Sequence, residues 1–259
     1  MACGRVGKSA QARHIPQIGM KTLLIIGASK GLGKAFVEGL GKTGDTVIGV
    51  SRTMPSQLER RAGIQYDWIT ADFSYPESAI QTVVKALEGK VIDVLIYNLG
   101  VWEPDAFSES YDFLQDSDET VKGMVSINLV SPILLLKAIL PSLCASPTPR
   151  VILSGSTSGL RSSGRPEVTF GATKAALHGL GDALREGYRS RSLAVTTLSL
   201  GYLNTEDDLG VPRTVAASRG EGQLIPVHDV VHVVDTILNL SDSSFVRDLT
   251  MPALKDSRF

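Results

Sequence analysis

The sequence predicts a doubly wound α/β fold, a parallel sheet of about seven strands flanked by helices. Two observations predict it. Short, β-branched apolar runs alternate along the chain with longer amphipathic stretches, and the runs are continuously apolar, as strands covered on both faces must be. In addition, the first run ends in glycines and opens directly into a helical stretch.

Taken in order, strands are expected at 21–27 (KTLLIIG), 46–50 (TVIGV), 64–69 (IQYDWI), 91–97 (VIDVLIY), 150–155 (RVILSG) and 193–200 (LAVTTLSL), with a weaker one at 246–251 (VRDLTM). Between them LGKAFVEGLGKTG, PESAIQTVVKALEG, DETVKGMVSINLVSPILLLKAIL, GATKAALHGLGDALREGYRS and HDVVHVVDTILNL carry helical periodicity. No composition break or internal repeat divides them, so residues 20–259 are expected to form one domain. The least regular segment, 204–223, is rich in Gly, Asp and Arg and is interrupted by Pro212. It reads as a mobile flap beside a ligand crevice, or as a surface loop without a role. Residues 1–19 carry Arg5, Lys8 and Arg13 and no acid, and read as a leader or appended tail without fixed structure; a basic arm is the alternative.

Composition narrows the partners. With 259 residues, 43% hydrophobic and 20% charged, the chain is long enough for one large core. A formal net charge of -1 gives no field to attract nucleic acid or an anionic membrane, and neither is expected as a partner. Cys3 and Cys144 are too few for a disulfide framework, and no Cys/His spacing suggests a metal site, so no metal and a reducing cytoplasm are expected. The greasiest stretch, LVSPILLLKAIL, is cut by Ser131, Pro132 and Lys137 and reads as a buried helix.

In LLIIGASKGLGKAF, Gly27, Gly31 and Gly33 stand at the exit of the first strand and the entry of a helix. Glycines there allow a tight turn and close approach to a pyrophosphate, whose charge is stabilised by N–H groups at the helix start. The spacing is GxxxGxG. The second strand ends in VIGVSRT, where an NAD site of the Rossmann type needs a carboxylate for the ribose 2′-OH. Ser51 and Arg52 stand there instead, and Lys30 lies within the glycine loop, a charge pattern that suits the 2′-phosphate of NADP(H).

From about Met20 onward the chain resembles the short-chain dehydrogenase/reductase family, on a set of ordered motifs. GASKGLG, which includes Ser29 and Leu32, resembles the family's glycine loop. ADF (71–73) resembles the adenine contact, implying Asp72 and the backbone of Phe73. YNLG (97–100) stands where the family has NNAG, implying Asn98 and Gly100, and SINLVSP puts Asn128 at the catalytic asparagine. LSGSTSG puts Ser156 at the catalytic serine, and LGYLNT, with Gly201, Leu203 and Thr205, resembles the PGxxxT segment at the nicotinamide. Tyr97 and Leu200 depart from that pattern without removing a reacting group.

The departure that matters lies fourteen residues after Ser156, where the family's YxxxK reads Phe170-Gly171-Ala172-Thr173-Lys174. Hydride transfer to a carbonyl leaves charge on oxygen, and a donor must supply a proton. The resemblance implies that tyrosine is that donor, lysine lowers its pKa and grips the ribose, serine polarises the carbonyl and asparagine holds a relay water. Ser156, Lys174 and Asn128 persist, while Phe170 has no proton to give. Three readings stay open: an NADP(H)-dependent oxidoreductase of a carbonyl or alcohol with weakened proton transfer, a catalytically silent NADP(H)-binding regulator or scaffold, and a tyrosine deliberately replaced. Ser156, a water on Lys174, and Tyr202 are candidate donors; His178 is expected at a helix interface.

The substrate is expected to be a small carbonyl or alcohol compound. Its walls would come from 101–110, 157–167 and the flap, with Trp102, Leu160, Arg161, Arg165 and Leu209 among them; the two arginines read as surface charge, with contact to an anionic substrate as the alternative. The resemblance implies a homodimer or homotetramer through helices 119–143 and 170–188. Met124, Ile127, Leu134, Ala138, Ala175, Leu177, Leu180 and Leu184 would supply the apolar faces.

Overall fold

The computed structural model describes residues 20–258, and the expected leader at 1–19 lies outside the described residues. The chain runs β1 (Thr22–Ile26), α1 (Gly31–Gly39), β2 (Thr46–Ser51), β3 (Gln65–Thr70), α2 (Pro76–Ala86), β4 (Val94–Tyr97), α3 (Asp118–Val125) and α4 (Ser131–Leu143). It continues through β5 (Arg150–Ser154), α5 (Val168–Gly187), β6 (Ala194–Leu200), β7 (Leu203–Asn204), α6 (Arg213–Arg219), β8 (Ile225–Pro226), α7 (Val227–Leu238) and β9 (Asp248–Met251). Seven strands form one parallel sheet in the order β3-β2-β1-β4-β5-β6-β9, and β7 pairs with β8. The doubly wound sheet expected from the sequence is therefore present.

The inner strands are nearly continuously apolar because successive residues feed different cores, whereas the edge strands β3 and β9 carry polar residues. Leu24, Ile26, Ile48, Val50, Leu95 and Tyr97 point to one face, where Ile80 and Val83 of α2, Leu135 and Leu136 of α4 and Leu177 of α5 cover them. Leu23, Ile25, Val47, Val94 and Ile96 point to the other, against Leu32 and Phe36 of α1 and Val230 and Val234 of α7. Each such side chain removed from water stabilises the fold by roughly 1.5–3 kcal/mol. Strand order reverses between β1 and β4, which opens a crevice at their carboxyl ends.

The run Asp118–Leu143 is 26 residues long and apolar enough to cross a bilayer by length and composition. Its apolar character has another cause, since Leu135, Leu136, Ile139, Leu140 and Leu143 are buried in the core. A π turn at Ser126–Val130 interrupts it, and the Ser131 hydroxyl donates to the Ser126 carbonyl at 2.9 Å. Asn128 lies within this turn and is buried.

Three expectations need correction. Met124 and Leu177, expected on apolar oligomer faces, are buried in the protomer, and Leu134, Leu180 and Leu184 pack against the core; Ile127 is half-buried, Ala138 and Ala175 are exposed, and Val130, Ile133 and Val168 are further exposed apolar residues of these helices. The segment 204–223 is more regular than its composition suggests, because Pro212 precedes α6 and starts that helix rather than breaking a loop. His178 sits between helix and sheet, 3.2 Å from Asp248 and 3.3 Å from the Ser199 hydroxyl, and not between helices.

Candidate active site

At the end of β1 the chain turns on glycines because no side chain fits. Gly27 has φ +82°, its N–H donates to the Val50 carbonyl at 2.9 Å, and a Cβ there would lie 2.8 Å from the Leu99 nitrogen. A methyl on Gly33 would overlap the Gly27 carbonyl and come within 3.0 Å of the Asn98 amide. Gly31, at φ +52°, faces Thr205, whose methyl would lie 3.2 Å from an added Cβ. The turn thus brings Gly27, Gly31, Gly33, Asn98 and Thr205 together.

Lys30 precedes α1, gives that helix no side-chain cap and is exposed, which leaves the first N–H groups of α1 available to an anion. Leu32 is buried beneath the turn, and Ser29 is half-buried beside it. At the end of β2 the Ser51 hydroxyl donates to the Thr53 carbonyl at 2.7 Å and Arg52 is exposed. Past β3, Asp72 is exposed and accepts the Ser74 N–H at 3.0 Å, while Phe73 is buried edge-on to Tyr97 at 6.4 Å. Tyr97 in turn donates to the Ile127 carbonyl at 3.0 Å, tying β4 to the π turn. Gly201 lies against the chain after β9, since a Cβ there would lie 3.0 Å from the Ala253 nitrogen; Leu203 packs on the core of α1 and α7.

The reacting end is polar below and aromatic above. The Lys174 ammonium is buried, donates to the Ser154 carbonyl at 2.8 Å, and would lie 3.0 Å from a Cβ on Gly100. Burial lowers its pKa to about 8. Asn128 pairs with the peptide of Val101, accepting its N–H at 2.9 Å and donating to its carbonyl at 2.7 Å, and also donates to the Thr173 hydroxyl at 3.1 Å. Ser156 begins a short turn, its hydroxyl accepting the Ser158 N–H at 3.1 Å. That turn lies directly on α5, because a Cβ on Gly159 would sit 2.7 Å from the Lys174 carbonyl carbon.

Phe170 is buried with the Lys174 nitrogen 5.6 Å from its ring centre. Its ring meets Trp102 at 6.5 Å and Phe107 at 5.5 Å, both edge to face, and Phe107 meets Tyr202 in the same way at 5.5 Å. Arg161 is exposed as expected, but Arg165 is not surface charge. Its guanidinium lies 4.4 Å from the centre of the Tyr202 ring, donates to the Tyr202 hydroxyl at 2.6 Å and pairs with Asp256 in a buried salt bridge. Burial raises the Tyr202 pKa above the ordinary phenol value even with Arg165 beside it, which weakens it as a proton donor.

Two buried carboxylates that the sequence did not single out fix this floor. Glu103 accepts the N–H groups of Thr169 and Phe170, each at 3.0 Å, and so caps α5 from a distant loop. Glu167, which precedes α5, leaves its own helix and accepts the Phe107 N–H at 3.0 Å. The second oxygen of each is buried without a hydrogen-bond partner. Only their proximity to YNLG and FxxxK could have hinted at them, since an acid in a loop ordinarily reads as solvated.

Comparisons with known proteins bear on the family and the fold. A family model described as short chain dehydrogenase matches residues 21–211. The chain is 30% identical over 202 residues to an NADPH-dependent pterin aldehyde reductase of Arabidopsis thaliana, covering 73% of this chain and 77% of that protein. It is 26% identical over 190 residues to a very-long-chain 3-oxoacyl-CoA reductase of Anas platyrhynchos (71% and 60% covered). Over 203 residues it is 27% identical to the inactive hydroxysteroid dehydrogenase-like protein 1 of Homo sapiens (76% and 59% covered). The chain spans about three fifths of the length of these last two relatives. Among solved structures, an alcohol dehydrogenase from Thermococcus sibiricus complexed with 5-hydroxy-NADP superposes with a TM-score of 0.74 at 21% identity, over 91% of this chain and 97% of that one. L-sorbose reductase from Gluconobacter frateurii gives 0.74 at 18% identity, over 92% and 98%.

Proposed function

The chain belongs to the short chain dehydrogenase family, and from that premise we propose that it is an NADP(H)-dependent oxidoreductase of a carbonyl or alcohol substrate whose proton transfer is weakened at Phe170. The observation that carries this reading is the retained polar set under the Phe170 ring, with the Lys174 ammonium buried on the Ser154 carbonyl and Asn128 locked to Val101. NADP(H), when bound, would supply or accept the hydride.

The chain's own groups divide the remaining work. The glycine turn and the open start of α1 receive the pyrophosphate, and exposed Lys30 and Arg52 with Ser51 meet a 2′-phosphate. Asp72, the Phe73 backbone, Asn98, Gly100, Gly201, Leu203 and Thr205 would hold the rest of the dinucleotide. Ser156 polarises the substrate oxygen and Lys174 holds the nicotinamide ribose. With no phenol at Phe170, the proton comes from the Ser156 hydroxyl or from a water held on Lys174, whose pKa of about 8 suits that exchange near neutral pH. The name of the plant relative, which specifies NADPH, supports the cofactor choice. A reducing cytoplasm, a single domain over 20–259 and a homodimer or homotetramer belong to the same proposal, the last supported by the exposed apolar residues Val130, Ile133 and Val168.

The test pairs affinity with turnover. NADPH should bind more tightly than NADH by fluorescence titration, and a carbonyl panel should show slow NADPH oxidation that Phe170→Tyr raises by about 10²–10⁴-fold. Tighter NADH binding would overturn the roles of Ser51 and Arg52. A second reading is favoured by the enclosure of Phe170 between Trp102 and Phe107 and by the name of the human relative: a silent cofactor-binding protein. It requires tight NADPH binding with no turnover by the unaltered chain on any carbonyl.

A further inference from the structure

Phe107 stands out in the crevice because its backbone and its ring are both constrained. It has φ +67°, a left-handed conformation that is uncommon and strained for a bulky residue. The Glu167 carboxylate, itself buried, holds it there through the 3.0 Å bond to the Phe107 N–H. The ring is then placed between Phe170 and Tyr202, perpendicular to both at 5.5 Å, a separation that leaves no room for another ring between them. Phe107 packs directly on the Phe170 ring, and on the oxidoreductase reading that contact borders the approach of a substrate.

We propose that Phe107 acts as a built-in ligand, filling a one-ring slot between Phe170 and Tyr202, and that the substrate is an aryl carbonyl compound whose own ring takes that slot when Phe107 swings out. The slot is shaped by what fills it. Phe170 and Tyr202 offer edge-to-face contacts on two sides, and Trp102, 57% exposed, packs against Phe107 at 6.0 Å on its solvent side. Arg165, neutralised by Asp256, stiffens the Tyr202 wall and is not free to select an anion. Release of the left-handed backbone at Phe107 offsets part of the cost of opening. The role of the aryl compound as substrate rests on the oxidoreductase reading, whereas occupancy of the slot depends on binding alone.

The experiment therefore separates binding from turnover. Acetophenone and cyclohexyl methyl ketone are titrated by calorimetry into the full chain saturated with NADP+, a pairing in which no hydride can move. Acetophenone should bind more tightly than its saturated counterpart. Phe107→Ala, by removing the competing ring, should tighten acetophenone by about tenfold and change the cyclohexyl ketone far less. Unchanged or weakened acetophenone binding in that variant overturns the proposal. Should Phe107→Ala not fold, Tyr202→Leu removes one wall and must abolish the preference for the aryl ketone; a preference that survives overturns the proposal equally. Acetophenone binding without NADP+ binding would sink the cofactor reading and leave the slot standing. Normal NADP+ binding with no aryl preference would sink the slot alone.

Discussion

The glycine turn after β1 and the aromatic floor around Phe170 lie along the same crevice, but backbone shapes the first and side chains shape the second. At Gly27, Gly31 and Gly33 the geometry exists because nothing projects from the chain, and main-chain N–H groups are left to meet an anion. Around Phe170 the geometry comes from four packed rings, a buried ammonium and two buried carboxylates. The difference teaches where function is robust. A grip made of backbone tolerates sequence drift as long as the glycines stay, whereas chemistry made by one hydroxyl is lost with one atom.

The largest effect expected at the backbone end comes from Gly33→Ala. The added methyl overlaps the Gly27 carbonyl, so the turn must open. Overpacking of this kind costs roughly 1–3 kcal/mol of stability, and NADPH affinity by fluorescence should fall by at least about 100-fold, a loss of about 2.7 kcal/mol or more. Retained affinity would mean that the turn does not hold the cofactor. Together with the Phe170→Tyr comparison, which should leave affinity unchanged and raise turnover, this variant separates grip from chemistry.

The side-chain end is sharpened by pH. Burial lowers Lys174 from 10.5 to about 8, so between those values the unfolded chain binds a proton that the folded chain has released. Stability therefore rises with pH across that window, and the cost of burying the charge is fully present below about pH 8. The gain is about 3 kcal/mol for a shift of this size at 1.36 kcal/mol per unit. Urea unfolding of the cofactor-free protein from pH 7.5 to 10.5 should show that rise relative to Lys174→Met, which has no proton to release. Parallel curves for the two proteins would mean that the lysine is not desolvated.

This contrast also explains what could be read from sequence. Strand and helix order was legible because Leu23/Leu24 and Ile25/Ile26 feed two cores, so both faces demand apolar residues. Backbone-made features were legible for a similar reason, since glycine at Gly27 and Gly33 has no substitute. Glu103 and Glu167 were not, because their role depends on a loop meeting a helix start across 66 and 60 residues. Arg165 was misread as surface charge because its partners, Tyr202 and Asp256, lie far along the chain. Met124 and Leu177 were over-assigned to an interface, since periodicity does not distinguish a residue that covers the core from one that meets another subunit.

The smallest effect belongs to the strap that joins the two ends. Thr205 rests on Gly31, Leu209 lies against Gly39 and Asp208 pairs with Lys34 at 2.9 Å, so the start of the flap runs along α1. Although burial pulls the Lys34 ammonium down, Asp208 and Glu38 raise its pKa overall, and Lys34 in turn holds the Asp208 carboxyl below its ordinary range. Asp208 is half exposed, so the pair is worth at most about 1 kcal/mol. Asp208→Asn should accordingly speed NADPH release by about two- to fivefold in stopped-flow displacement, and added salt should narrow the gap by screening the pair in the unaltered chain. The contacts of Leu209 and Thr205 remain, so equilibrium stability should barely move. An unchanged release rate at low salt would mean that the cofactor leaves without lifting this strap, and that the two ends of the crevice open independently.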